Sequence, residues 1–122
     1  MRFEGGGGGA EERFGAVALT LPRTTEHLVH GRVKFRVGQI VYVAFSREED
    51  VMGFAFPKEM RDGLVGGDPA TFLLPAASDL RFNWVYARTA ALDVAEMEEL
   101  VCDAWAMVVP KFLVRERLGF EP

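Results

Sequence analysis

Histidine and cysteine are scarce in this chain, and the scarcity removes several chemistries. One cysteine, Cys102, excludes an internal disulfide. It sits among carboxylates on a predicted helix, which disfavours a thiolate, so a nucleophile is not expected there. His27 and His30 are three residues apart in an extended segment and point to opposite sides. A zinc site needs three or four ligands, and no convincing third is present. Also missing are a Gly-x-Ser-x-Gly elbow, a paired-cysteine motif, His-Glu-x-x-His and an EF-hand loop. The sequence therefore predicts a protein that is not an enzyme, with no metal and no cofactor. No run approaches the roughly 18 apolar residues of a membrane span, and no secretory pattern opens the chain. A soluble, cytoplasmic protein with no membrane partner is the expectation. Basic charge is not in excess either: 14 basic residues face 18 acidic ones, so any nucleic-acid contact needs a local patch.

What is present suits one globular domain. At 122 residues and 49% hydrophobic, the chain is long enough to bury a core without staples. Gly5 to Gly9 predict a flexible tail over residues 1–10; no strand precedes the run and no Gly-Lys-Ser/Thr follows, so a phosphate loop is rejected. The domain is placed at 11–114, with a short tail at 115–122. Phe14, Val17, Ala18 and Leu21 mark one face of a first helix that Pro22 ends. Arg23 to Glu26 reads as a polar link. Val33, Phe35 and Val37 then alternate with Arg32, Lys34 and Arg36 in a half-buried strand. Ile40–Phe45, apolar on both faces, reads as a central strand and Val51–Phe56 as a third apolar strand, separated by a charged loop at Ser46–Asp50 whose adjacent acids define no cation cage. Pro57 opens a short helix through Met60 and Leu64 that Gly66-Gly67 terminates. Phe82–Ala87 is the last strand. The final helix runs from Asp93 to Val109, with Asp93 and Glu96 spaced as a capping box. Its stripe of Met97, Leu100, Val101, Ala104, Trp105 and Val108 faces the core.

Two placements bear on function. A two-residue Gly38-Gln39 loop sets Val41, Val43 and Phe45 on the face of Arg32, Lys34 and Arg36. A three-residue loop or a bulge sets them beside Val33, Phe35 and Val37, since a one-residue slip exchanges faces. The second register segregates apolar from charged side chains and is preferred; Arg36 then faces Tyr42, and Lys34 faces Ala44. In the last strand Phe82, Trp84, Tyr86 and Arg88 share parity. On an open sheet face they join Arg32, Lys34, Arg36 and Tyr42 in a basic surface with aromatics for stacking. The favoured placement instead puts Phe82, Trp84 and Tyr86 in the core and leaves the basic trio solvated.

Leu21-Pro22, Phe35-x-Val37-Gly38, Pro57-Lys58-Glu59, Phe72, Trp84-Val85, Leu92 and the stretch from Glu99-Leu100 to Pro110-Lys111 follow one another in a particular order. In that order and spacing the chain resembles the MmcQ/YjbR family, from about Phe14 to Leu113. The resemblance implies a frataxin/CyaY-like α+β fold: an antiparallel sheet with its N- and C-terminal helices packed on one face. It also implies a DNA-binding role, since family members are described as predicted double-wing DNA-binding proteins. Iron binding of the frataxin type is not implied, because Glu11 and Glu12 alone do not make an acidic ridge. The resulting expectation is a non-enzymatic binding module with nucleic acid as ligand and Arg32, Lys34, Arg36 and Tyr42 as contacts. A protein-interaction or regulatory module is the alternative. Oligomeric state is not legible in the sequence.

Overall fold

The alternation of Arg32–Val37 becomes a strand with the predicted bounds in the computed structural model, which describes residues 16–119. Gly5 to Gly9, Glu11, Glu12 and Phe14 lie outside those residues. A helical turn over residues 16–19 (α1) leads to four consecutive strands: β1 (Thr24–Val29), β2 (Arg32–Val37), β3 (Ile40–Phe45) and β4 (Val51–Ala55). Helix α2 (Lys58–Gly67) and a two-residue strand β5 (Phe72–Leu73) follow. Then come β6 (Trp84–Arg88), α3 (Val94–Ala106) and α4 (Lys111–Leu118). The six strands form one sheet in the order β1-β2-β3-β4-β6-β5, antiparallel at every pairing. This is the α+β architecture expected from the sequence.

One face of the sheet carries the core. Phe35, Val43, Phe45, Met52, Phe54, Val85 and Ala87 pack there with Ala18 and Leu21 from the N-terminal turn. Met97, Val101, Ala104 and Trp105 from α3 and Val114 from α4 complete it. The indole Nε1 of Trp105 donates to the Pro22 carbonyl at 2.8 Å, tying α3 to the end of α1. Helix α3 starts with the predicted capping box: the Glu96 amide donates to Asp93 Oδ1 (2.8 Å), and the Asp93 amide donates to Glu96 Oε1 (3.0 Å). Two orphan amides of the first turn are thereby satisfied. Leu100 is half-buried, flanking the stripe.

Several expectations need correction. Thr24 to Glu26 is not a link but the start of β1, an edge strand whose polar opening residues read as a loop. Phe72–Leu73 adds a sixth strand too short to read from periodicity. Helix α4 continues four residues past 114, to Leu118. The β2–β3 hairpin combines both registers considered. Val37 pairs with Ile40 across the Gly38-Gln39 turn, where Gly38 has φ +60°. A bulge then shifts the ladder, so Arg36 opposes Val41, not Tyr42, while Phe35 opposes Val43 and Lys34 opposes Ala44. The extra residue lets Tyr42 and Val43 both reach the core.

Candidate functional site

The sheet face opposite the core is built from the alternate residues of each strand. Reading straight across the ladder, His27, Lys34, Ala44, Gly53, Tyr86 and Leu73 form one row. The two central strands present small residues here, Ala44, Gly53 and Ala55, whereas β2 presents cations and β6 presents Trp84 and Tyr86. A trough results. Its banks, β2 and β6, lie three strand spacings apart, roughly 14 Å between backbones. The trough encloses about 860 Å³.

Arg32 and Lys34 line this groove, and neither side chain makes a hydrogen bond or ion pair among the described residues. Arg36 shares their face by parity but does not line the groove; its Nε is shielded from solvent without an acceptor among the described residues. Tyr42, the fourth predicted contact, is not on this face. It is 0% exposed, and its hydroxyl lies 2.7 Å from Thr24 Oγ1. Burial pushes its phenol up to about 12; the Thr24 bond opposes the shift and the Cys102 charge adds to it. The bulge that sends Tyr42 inward is the reason it is lost from the site.

Trp84 and Tyr86 reverse the favoured placement. Val85 and Ala87 point into the core at 0% exposure, so their neighbours Trp84 and Tyr86 lie on the open face and line the groove. Phe82 is 50% exposed at its rim, with the Arg81 guanidinium 4.7 Å from the ring centroid. The indole of Trp84 rests against Gly53, where a side chain of any size would collide with it.

A buried arginine that sequence reasoning did not single out holds this bank in place. Arg61 of α2 is 7% exposed; its Nη1 donates to the carbonyls of Phe82 and Trp84, both at 3.0 Å, and its Nη2 to Leu80 at 2.7 Å. Asn83 Oδ1 accepts from the Lys58 amide (3.0 Å), and Lys58 Nζ donates to the Arg81 carbonyl (2.9 Å). The first turn of α2 and the entry to β6 therefore fix each other. No sequence motif announces Arg61. The small residues Ala44, Gly53 and Ala55 on adjacent strands were a usable signal for the trough.

The remaining titratable residues offer little chemistry. The Cys102 thiol is pushed up chiefly by burial, with Arg117 opposing and Asp103 and Glu98 reinforcing. His30 occupies the left-handed turn before Gly31, and its carbonyl accepts from Arg47 Nε at 3.0 Å. Among the described residues no group of three or more His, Cys, Asp or Glu could hold a metal ion, and no helix is long and apolar enough to cross a membrane.

Comparison with known proteins agrees with this architecture. The family model described as YjbR matches residues 19–107. The crystal structure of Deinococcus radiodurans protein DR2400, a DUF419 domain, superposes with a TM-score of 0.65 at 16% identity, covering 86% of this chain and 84% of that one. At that identity the likeness speaks for the fold. No curated protein matches the chain.

Proposed function

The chain belongs to the YjbR family, and we propose that it is a cytoplasmic, non-enzymatic module that binds single-stranded nucleic acid, DNA in the first instance, along its open sheet face. The observation that carries this reading is the pairing of opposite banks across one groove: cationic Arg32 and Lys34 on β2, aromatic Trp84 and Tyr86 on β6. A single strand offers both partners at once, phosphates for the cations and unstacked bases for the rings. A duplex hides its base faces and uses only the cations. Non-enzymatic action is supported by a thiol that burial pushes further from the reactive thiolate form and by the lack of a nucleophile–base motif.

Fluorescence anisotropy with labelled mixed-sequence DNA and RNA oligonucleotides at low salt tests the reading. For two phosphate contacts by Arg32 and Lys34, the log–log salt slope on single strands is about −1.4. The pair Arg32→Glu and Lys34→Glu abolishes binding. Trp84→Ala, which removes a half-buried wall of the groove, weakens it by about 1–3 kcal/mol. No binding at tens of micromolar protein refutes the proposal. It would promote a protein-interaction module, which one observation favours: β1 is a sheet edge with Leu28 73% exposed.

A further inference from the structure

The groove is chemically polarised along its length, and stacking on nucleic acid uses only part of it. At one end stand Arg32 and Lys34, without partners among the described residues. At the other end, Ile40 is 53% exposed, Phe82 50% and Met107 41%. Large apolar side chains left in water are unremarkable when scattered; gathered at one end of a concavity they mark a surface meant to be covered. A sugar–phosphate chain gains nothing from that end. Asp79 also lies there and is the single carboxylate among the lining residues, so it repels an anion from the apolar end and directs it to Lys34.

We propose that the groove binds an elongated amphipathic anion, one anionic head group on an apolar alkyl or aryl body, with the head at Arg32 and Lys34 and the body over Ile40, Phe82 and Met107. The volume, about 860 Å³, falls within the usual range for a small-molecule site. Its length, following β3 from Ser46 back to Ile40, is roughly 20 Å, enough for an extended ligand rather than a compact one. The flat floor of Ala44, Gly53 and Ala55 lets such a body lie against the sheet, with Trp84 as one wall. Because the head takes the cations that phosphates would use, the ligand displaces a bound oligonucleotide. This displacement rests on the nucleic-acid reading; ligand binding does not.

The test titrates the full chain calorimetrically, below micelle concentrations, with decanoate, decyl phosphate, decanol and acetate. Decanoate or decyl phosphate binds at a single site; whichever is tighter identifies the head group as carboxylate or phosphate. Decanol and acetate, each lacking one half of the ligand, bind at least roughly tenfold more weakly, about 1.4 kcal/mol. Lys34→Glu weakens the anions, and Ile40→Ser, at an exposed position that leaves folding intact, weakens the ten-carbon ligands. Equal binding of decanol and decanoate, no saturable heat with either anion, or unchanged affinity in both variants overturns the proposal. Oligonucleotide binding without anion binding leaves the nucleic-acid reading standing alone; saturable anion binding without oligonucleotide binding does the reverse.

Discussion

Trp84 packs so closely on Gly53 that a Cβ at residue 53 would fall 2.7 Å from indole Cζ2 and 2.8 Å from Nε1. Even a methyl group is excluded unless the ring moves, and the ring is one wall of the groove. Gly53→Ala is therefore expected to destabilise the fold by about 1–3 kcal/mol through overpacking. It should also shift Trp84 fluorescence while the buried Trp105 stays as it was. A denaturant titration with the emission spectrum of the native state checks both. Unchanged stability and spectrum would mean that the contact is not tight in solution.

Tyr42 gives a pH prediction. Its native phenol titrates at about 12, above its ordinary value of 10.0. Above pH 10 the unfolded chain loses this proton while the native protein keeps it. Stability is thus fully present below 10 and declines as pH rises through 12. Tyrosinate absorbance should show a late step near 12 that vanishes in Tyr42→Phe. That variant also loses the Thr24 bond, at about 1 kcal/mol in neutral solution.

Arg61 should behave as a structural clamp that lysine cannot replace. A guanidinium reaches three carbonyls in a fixed fork, and an ammonium on a shorter plane-less head does not. Arg61→Lys is expected to cost about 2–4 kcal/mol, because buried carbonyls lose charged donors. Hydrogen exchange should show the loss concentrated at 80–84 and the start of α2. Wild-type stability in the lysine variant would refute the clamp.

On α3, Trp105 and Leu100 should separate. Trp105 is 0% exposed and hydrogen-bonded to Pro22, so Trp105→Ala should cost about 3–5 kcal/mol. Leu100 is half-buried, which places Leu100→Ala at the low end of the buried-leucine range, about 2 kcal/mol. Chemical denaturation of both variants gives the order; a larger loss at Leu100 would misplace the helix face.

Local patterns by themselves determined the strand Arg32–Val37, the strand Ile40–Phe45 and the capping box of Asp93 and Glu96, because each is set by residues within one turn or one strand. The sharing of a face by Arg32, Lys34 and Arg36 was legible for the same reason: parity is a local property. Tertiary structure decided the rest. Whether Trp84 and Tyr86 faced core or groove turned on which side of β6 the helices covered, and alternation alone is symmetric between the two. Tyr42 left the predicted site because one bulge residue changes parity mid-strand, and a bulge follows from ladder pairing with β2 rather than from the sequence of β3. Strand β1 was hidden by its polarity, since an edge strand gets its order from hydrogen bonds to a neighbour and not from apolar burial. Arg61 meets its three carbonyls about twenty residues further along the chain, a partnership that exists only once α2 and β6 have packed together.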